Sequence, residues 1–520
     1  MFHCARKEAL MLRSVFIGIG FSITGVVLAQ PVTSNLLPRL EPEFRKYDQN
    51  LGSLQGIGTG FDVSGDVAVF SGDNGMGNRG LWYSRWDPGT ATWSDLISID
   101  PTLESRIGAL GSSAAFDGTT FVVGDAIDDG AGPNPPVSND FGAAYVYRYN
   151  SGSDSWSREL LMTPNGPEAT FRLDAGGQAV GDNYGTFVAI DGDYIAIGVP
   201  GRSTEEGAVI TYVRDNNLGV WQLFDVIEAD EFAPGDGQAG ERFGSAVAMQ
   251  GTTLCISANR DNSSTGSVYF FERSGSGYDS MGGQKIPSPE NIAFFQFGQD
   301  LAIDGDTVVI GTAGENTAVM TNGGRAYVAD RNGLGVWTLS QELRLPVLEP
   351  ALDPLMTFFG NTVDIKGDLI AIGAILNEDG QTQNGNVFVY NRSSLGVFTP
   401  IAQLRTLAGL SVGGLRFGAD VALGDRFLLA GEQNNSLEST AYLYDLFEAT
   451  GDSDCDGNLT DDRADILAGL QADANDNLVP DTCEGFVDCI ADINGDMVVT
   501  PADFTAWINA FNTSPAACLP

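Results

Sequence analysis

Histidine is almost absent from this 520-residue chain, and the single one is His3, close to the start. Beyond that point no imidazole can act as a general base, complete a Ser-His-Asp or Cys-His arrangement, or bind zinc or copper. No glycine-rich phosphate-binding fingerprint stands between a predicted strand and a predicted helix either. An enzyme made from this sequence would have to rely on carboxylates, Tyr, Lys or Arg.

Basic residues are also scarce, because 27 Lys and Arg stand against 68 Asp and Glu and give a net charge of −41. Such a surface repels the phosphates of nucleic acids and anionic lipids, so we expect neither as a partner. The same charge attracts divalent cations. For most of these carboxylates the simpler interpretation is that they keep a large exported protein soluble.

Long hydrophobic runs are missing after residue 29. The first part of residues 1–29 contains three basic residues, Arg6, Lys7 and Arg13, and an apolar run follows them. Val27 and Ala29 are small residues before a cleavage site at Gln30, which is the pattern of a secretory signal peptide. An uncleaved membrane anchor is the alternative, although the run is short for a membrane span. We therefore expect a secreted or cell-surface protein without membrane insertion.

What the sequence has in abundance is one repeated unit of short alternating runs. In Tyr184–Pro200 two such runs are joined by Asp191-Gly192, which predicts a two-residue β-hairpin with a type I′ turn. The unit recurs at intervals of roughly sixty residues. Its seven copies begin at Gly58, Gly111, Tyr184, Phe243, Phe297, Phe359 and Phe417.

Each copy continues into a third predicted strand rich in aromatic residues, and most copies continue into a fourth. Leu218, Leu334 and Leu395 begin near repeats of that fourth strand, LGVWQLFDVI, LGVWTLSQEL and LGVFTPIAQL. Four short strands per unit predict the blades of a propeller, so the expected fold is an all-β, seven-bladed β-propeller over residues 30–446. Since the last unit lacks a fourth strand, we expect a strand near Asn35–Leu40 to complete it and close the ring.

These repeats carry Phe-Gly pairs at Phe243, Phe297, Phe359 and Phe417 and a Gly-Val-Pro at Gly198–Pro200. In these motifs they resemble the FG-GAP family, which forms the seven-bladed propeller of integrin α-subunit heads and of many bacterial surface proteins. The resemblance covers residues 35–446, and it implies a fold more than a function, because propellers support many activities. Calcium-binding members carry an Asp-rich loop in the blade hairpin that is missing here, so no metal site is expected in the blades.

The long, polar connections lie between the second and third strands of a blade and between successive blades. In an up-and-down blade both leave on the same face of the ring, and in integrin-like propellers that face takes the ligand. By this analogy the candidate ligand face contains Asp125, Asp128, Asp129, Asp140, Asp230, Glu231, Asp236 and Glu241. A carboxylate pair there could instead cleave glycosidic bonds, and solvated loop charges without a partner are an equally simple interpretation.

Residues 447–520 form a tail of a different kind, rich in Cys and Asp. Three segments place oxygen ligands at positions 1, 3, 5, 9 and 12 and a backbone carbonyl at position 7, as in a calcium loop of EF-hand type. The three sets are Asp454, Asp456, Asn458, Thr460, Asp462 and Asp465; Asp473, Asn475, Asn477, Val479, Asp481 and Glu484; and Asp492, Asn494, Asp496, Val498, Thr500 and Asp503. The first set has a rival frame that begins at Asp452. Only the third is followed by an amphipathic helical pattern, Phe504–Phe511.

The stretch DINGDMVVTPADFTAWINAF, which begins at Asp492, resembles one half of a dockerin type I module. The resemblance implies Ca²⁺ as the cofactor and a cohesin-like partner for the tail. Four cysteines in a small exported module also suggest two disulfides, and pairing 455 with 483 and 489 with 518 would clasp each half, although three connectivities are possible. These residues are Cys455, Cys483, Cys489 and Cys518. The isolated Cys255 is expected to be a small buried strand residue.

The sequence therefore predicts an exported binding or adhesion protein without catalytic residues. Its propeller would recognise an extracellular protein or polysaccharide, and its calcium-binding tail would serve attachment or assembly. The alternative is a carbohydrate-active hydrolase that uses paired carboxylates and is carried to a scaffold by the dockerin-like tail. A structural envelope protein with no discrete ligand is a third interpretation.

Overall fold

The computed structural model describes most of the propeller and three short strands that precede it. The described residues are 60–73, 79–87, 92–100, 110–126, 142–163, 166–168, 182–232, 237–275, 277–290, 294–312, 324–346, 357–375, 385–393, 395–404, 416–433 and 440–446, together with the strands Val27–Leu28, Arg39–Leu40 and Phe44–Lys46. Residues 447–520, which contain every predicted calcium ligand and the four tail cysteines, lie outside them.

The described residues form a seven-bladed β-propeller, which confirms the predicted all-β fold class. Three strands come first: β1 (Val27–Leu28), β2 (Arg39–Leu40) and β3 (Phe44–Lys46). Blade 1 contains β4 (Phe61–Ser64), β5 (Val67–Asp73), β6 (Arg79–Asp87), β7 (Thr92–Trp93) and β8 (Ile97–Ser98). Blade 2 contains β9 (Leu110–Phe116), β10 (Thr120–Asp125), β11 (Ala143–Asn150), β12 (Ser155–Thr163) and β13 (Gly166–Glu168). Blade 3 contains β14 (Val188–Asp191), β15 (Tyr194–Val199), β16 (Ala208–Asp215) and β17 (Val220–Ile227).

The last four blades repeat this pattern of consecutive antiparallel strands. Blade 4 contains β18 (Phe243–Gln250), β19 (Thr253–Ala258), β20 (Ser267–Ser274) and β21 (Gly277–Pro287), and blade 5 contains β22 (Phe297–Asp304), β23 (Thr307–Thr312), β24 (Arg325–Arg331) and β25 (Trp337–Leu343). Blade 6 contains β26 (Phe359–Lys366), β27 (Leu369–Ala374), β28 (Asn386–Arg392) and β29 (Phe398–Leu404). Blade 7 contains β30 (Phe417–Leu423), β31 (Phe427–Glu432) and β32 (Thr440–Asp445). In the described part of the chain only three short helical segments occur: α1 (Arg202–Glu205), α2 (Ala229–Phe232) and α3 (Asp261–Ser264).

The second strand of each blade lies between two neighbouring blades, so its side chains are buried on both faces. Every residue of β19, β23, β27 and β31 is buried, which explains their continuous apolar sequences. Ile370 and Ile372 of blade 6, for example, share one apolar cluster with Val309 and Val328 of blade 5. The core is therefore a series of interfaces between blades.

The hairpin between first and second strands is a two-residue turn, as predicted, but its predicted type I′ geometry is wrong. In blade 3 Asp191 pairs with Tyr194, so the central residues are Gly192 and Asp193. Only Gly192 has a positive φ, of 59°, whereas a type I′ turn needs two positive values. A glycine at the first central position alone is the pattern of a type II′ turn.

The Phe-Gly pairs mark places where consecutive blades touch through their backbones. The glycine that begins the third strand of one blade forms a β-bridge with the aromatic residue that begins the next, as Gly207 does with Phe243. A Cβ on Gly207 would overlap the carbonyl oxygen of Phe243, and one on Gly360 would overlap that of Arg325. Because both glycines also have φ near +90°, neither position accommodates a side chain.

A strand from before blade 1 completes blade 7, as predicted, but the strand is not Asn35–Leu40. The β3 strand pairs antiparallel with β32, with Lys46 opposite Ala441. Arg39 and Leu40 instead pair in parallel with β29 of blade 6. The prediction was misplaced because this short stretch before the first repeat has no second copy against which its position can be aligned.

The face of the ring that carries the two-residue turns and the turns between third and fourth strands is called the hairpin face. Ion pairs join neighbouring blades there. Arg392 of blade 6 lies 3.3 Å from Asp330 of blade 5, and Arg331 of blade 5 lies 2.8 Å from Glu272 of blade 4. The opposite face, which carries the longer connections, is called the loop face.

Candidate functional site

A central channel of about 500 Å³ runs between the blades and is lined by the first strand of each one. The described lining carries seven aspartates and a single lysine. These are Asp62, Asp117, Asp191, Asp300, Asp304, Asp364 and Asp420, together with Lys366. The channel is therefore strongly acidic when these groups are ionised, and it would attract cations from solvent.

Four of these aspartates connect consecutive blades. Asp300 of blade 5 accepts a hydrogen bond at Oδ1 from the N–H of Leu301, over 2.9 Å, and at Oδ2 from the N–H of Val363 in blade 6, over 2.8 Å. Three further carboxylates accept one backbone N–H from the next residue at Oδ1 and one from the next blade at Oδ2 in the same way. They are Asp364, with Ile365 and Leu423; Asp420, with Val421 and Gly60; and Asp62, with Val63 and Phe116. The four carboxylates form an arc from blade 5 through blades 6, 7 and 1 to blade 2.

The arc spans the boundary at which the last blade meets the first. Asp420 Oδ2 accepts the N–H of Gly60 over 3.0 Å, although the two residues are 360 positions apart. In blade 2 the hydroxyl of Ser113 takes the equivalent place and accepts the N–H of Val188 over 3.1 Å. These bonds tie the innermost strands together at the closure.

The carboxyl groups of the arc are harder to ionise than ordinary aspartates. Burial raises the pKa of Asp300 to about 6 and the pKa of Asp364 and Asp420 to about 7, although each keeps part of its surface open to the channel. The charge of Asp300 raises the last two pKa values further. Burial and then the charge of Asp364 hold the pKa of Asp62 well above its usual range.

These four aspartates are not among the site residues that the sequence predicted. Asp62 and Asp364 occupy a position that Ala189, Ala248 and Ala302 fill in other blades, so a carboxylate among alanines was the available signal. Each carboxylate uses both oxygens on backbone N–H groups. Within the described residues no group of three or more His, Cys, Asp or Glu is placed to hold a metal ion.

The predicted ligand face is only partly described. Asp125 is buried at the end of β10, while Asp230 is exposed in α2 and accepts the N–H of Gly237 at Oδ1 over 3.0 Å. Glu241 accepts the N–H of Gln238 over 3.0 Å, and Glu231 belongs to α2. Asp128, Asp129, Asp140 and Asp236 lie outside the described residues.

The loop face also contains two turns of left-handed backbone that the sequence did not predict. Ser203, Thr204 and Glu205 of α1 have φ of 54°, 64° and 64°, and the α3 segment Asn262–Ser264 has φ of 50°, 65° and 64°. A left-handed conformation costs roughly 1–2 kcal/mol per residue for a side chain other than glycine. Six such residues in two equivalent loops are a considerable local strain.

Contacts to the next blade hold these turns in place. The carbonyl of Glu205 accepts the N–H of Arg242 over 2.8 Å, and the carbonyl of Ser264 accepts the N–H of Gln296 over 3.2 Å. The Glu205 side chain also bonds the Arg242 guanidinium and lies 3.3 Å from Nη1 of Arg260. These contacts therefore fix the shape of the two turns, and the first of them carries charges of both signs.

Two further predictions concern single features of the chain. Cys255 is a free, fully buried cysteine, as predicted, and burial raises the pKa of its thiol above the usual value. Among the described residues, no helix is long and apolar enough to span a membrane.

A match to a family of repeats supports the propeller. Three segments of the chain match the FG-GAP repeat. They are residues 228–271, 288–329 and 356–390. No curated protein matches the chain. Among solved structures, the β-propeller domain of the Trilobed protease from Pyrococcus furiosus, described as having an open velcro topology, is similar at 10% identity and a TM-score of 0.39, over 77% of this chain and 94% of that one.

Proposed function

We propose that this chain is an exported, non-enzymatic binding or adhesion protein. Its loop face recognises an extracellular protein or polysaccharide, and its tail binds Ca²⁺ and mediates attachment or assembly, with a cohesin-like domain as the expected partner. The FG-GAP repeats support this proposal, since the resemblance noted above includes integrin heads and bacterial surface proteins.

The observation that carries the proposal is the pair of left-handed turns on the loop face. Strained backbone persists where the surrounding structure enforces it, and it clusters at ligand-binding and switch regions. Ser203–Glu205 and Asn262–Ser264 occupy equivalent loops and are each bonded to the next blade. A preformed surface of this kind lowers the entropy lost on binding.

The test is a binding screen of the purified full-length protein against immobilised extracellular polysaccharides and matrix proteins. We expect the double variant Asp230→Ala/Glu231→Ala to weaken binding of any ligand found by about tenfold or more, as loss of charged contacts does. The matched control is Asp306→Ala/Asp368→Ala, which removes the same charge from the hairpin face. Equal weakening by both variants, or by neither, would reject the loop face as the binding surface.

The second candidate is a carbohydrate-active hydrolase, and the observation in its favour is the set of raised carboxyl pKa values in the channel. Perturbed carboxyl groups in a cavity are a common mark of catalytic acids. Release of reducing sugar from a polysaccharide, abolished by Asp364→Asn, would support this candidate and reject the non-enzymatic proposal. Against it stands the use of both Asp364 oxygens in bonds to Ile365 and Leu423.

A further inference from the structure

Three turns on the hairpin face carry a leucine at the tip. Leu218, Leu334 and Leu395, in blades 3, 5 and 6, are 68%, 90% and 88% exposed. In blade 5 the turn is closed by backbone bonds, such as the N–H of Gly335 to the carbonyl of Asn332 over 2.8 Å, so it does not need an apolar side chain. Turn positions of this kind usually hold Gly, Asn, Asp or Ser. A leucine that recurs there without a packing role requires another explanation.

Two of these tips belong to adjacent blades and are joined at their base. Arg392, directly before the turn of blade 6, lies 3.3 Å from Asp330, just before the turn of blade 5. Val336, also half exposed, adds to the apolar surface of the blade 5 turn. Neither turn, 332–336 or 393–397, contains a charged residue, although the chain has 68 acidic residues. Leu334, Val336 and Leu395 are called the leucine pair surface.

The chain leaves the propeller at the equivalent point of blade 7. The N–H of Leu446 donates to the carbonyl of Arg426 over 2.9 Å, just as the N–H of Arg392 donates to the carbonyl of Asp368 over 2.8 Å in blade 6. In blade 6 the next residues form the leucine-tipped turn. In blade 7 the described chain ends here, at Leu446, which shares an apolar cluster with Leu369 and Ala371 of blade 6, and the tail, 447–520, follows in sequence.

The tail is long enough and apolar enough to cover this surface. Residues 447–503 separate the exit point from Phe504–Phe511, and these 57 residues are more than enough to reach the neighbouring blade. Phe504, Trp507, Ile508 and Phe511 are spaced to share one face of the predicted helix. An eight-residue helix is about 12 Å long, which suits two neighbouring turns better than a surface spread around the ring.

We propose that the apolar face of Phe504–Phe511 docks on the leucine pair surface of the same molecule. The docked tail would be held on the hairpin face and would leave the loop face free for a ligand. This inference rests on the tail module of the proposed function, and in particular on its predicted helix.

Hydrogen–deuterium exchange on the full-length protein in excess Ca²⁺ tests this docking. In the double variant Leu334→Ser/Leu395→Ser we expect peptides that cover Phe504–Phe511 to exchange about tenfold faster or more than in the unmodified chain. The matched control is Leu218→Ser, at the same kind of turn in blade 3, and it should leave their exchange unchanged. Unchanged exchange of the β23 and β27 peptides would show that the blades remain folded.

Three results would overturn the proposal. The peptides that cover Phe504–Phe511 could exchange equally fast in the unmodified chain and the double variant, or Leu218→Ser could accelerate them as much as the double variant does. Their protection could also depend on protein concentration, which would assign the leucine pair surface to a second copy. Calcium uptake is measured separately by titration, so a tail that is protected but takes up no Ca²⁺ would reject the calcium part of the proposed function and keep the docking.

Discussion

At the scale of single residues, the surroundings of a glycine decide how much its replacement costs. Gly360 and Gly367 both have positive φ, but a Cβ on Gly360 would overlap the carbonyl of Arg325 whereas one on Gly367 would meet nothing. We expect Gly367→Ala to lower the free energy of unfolding by about 1 kcal/mol, from backbone strain alone. Gly360→Ala should lower it by at least about 2 kcal/mol more, because two blades must also move apart. Denaturant unfolding measures both, and equal losses would contradict the role of Gly360 in blade contact.

The channel carboxylates give the propeller a specific dependence on pH. The pKa of Asp420 is about 7 in the folded protein, while an unfolded aspartate has a pKa near 3.9. Between these two pH values the folded protein holds a proton on Asp420 that the unfolded chain has released, so the free energy of unfolding falls as the pH rises. The contribution of Asp420 to this free energy is therefore complete below about pH 4 and is lost as the pH rises through about 7. The slope is at most about 1.4 kcal/mol per pH unit for one group, and water in the channel reduces it.

Asp420→Asn should therefore flatten the fall in stability between pH 4 and pH 7, although the amide also removes one acceptor and lowers stability overall. Thermal unfolding at several pH values measures the slope, which is separate from the overall loss. Asp306→Asn, at an exposed turn, is the control for a change in net charge. A slope that falls equally in both variants would contradict the assignment to the channel.

At the scale of elements, the strand that completes blade 7 can be tested by shortening the chain. A chain that begins at Pro42 keeps β3 and loses β1 and β2, whereas one that begins at Asp48 loses all three. We expect the second to melt about 5 °C lower or more than the first, because the edge of β32 is then unpaired. It should also associate with other molecules through that edge. Equal melting temperatures would show that β3 contributes nothing to closure.

The sequence predicted the elements well and their details less well. The alternation of apolar and polar residues, together with the Phe-Gly pairs and the turn glycines, located the first, second and third strands of the blades, because each repeat has the same local pattern. The turn type was wrong, since an Asp-Gly pair does not reveal which residues become the central ones. The closing strand was misplaced by a few residues, because a short stretch near the start of the chain has no repeat against which it can be aligned.

At the scale of the whole molecule, the number of blades follows from the repeats, while the arc of carboxylates does not. Asp300 and Val363 are 63 residues apart, and Asp420 and Gly60 are 360 apart. Finding such pairs requires knowledge of which face of the first strand looks into the channel. That depends on how the blades are tilted and packed, which no single repeat specifies. The left-handed turns could not be predicted either, because residues other than glycine, such as the Ser, Thr, Glu and Asn found there, adopt a left-handed backbone only rarely.

The calcium-binding tail remains a prediction that a titration can test on the full chain. Asp492→Asn should weaken the third predicted loop and reduce the number of Ca²⁺ ions bound, because it removes a charged ligand at position 1. Asp488→Asn, outside the predicted ligand sets, is the matched control and should leave binding unchanged. Removal of Ca²⁺ by a chelator should also lower the helix signal in circular dichroism, because the metal adds folding energy to a small module. No uptake of Ca²⁺ by the unmodified chain would reject this prediction.

The pairing of β3 with β32 also has a consequence for the order in which the protein folds. Lys46 and Ala441 face each other across the last blade, so nearly the whole propeller must emerge between the synthesis of one strand and that of its partner. Contacts so distant in sequence form late and slowly. A chain crossing a membrane with its amino end first would reach the far side as a row of blades with an open seam. Until the final strand arrives, that seam is the part most exposed to aggregation or proteolysis.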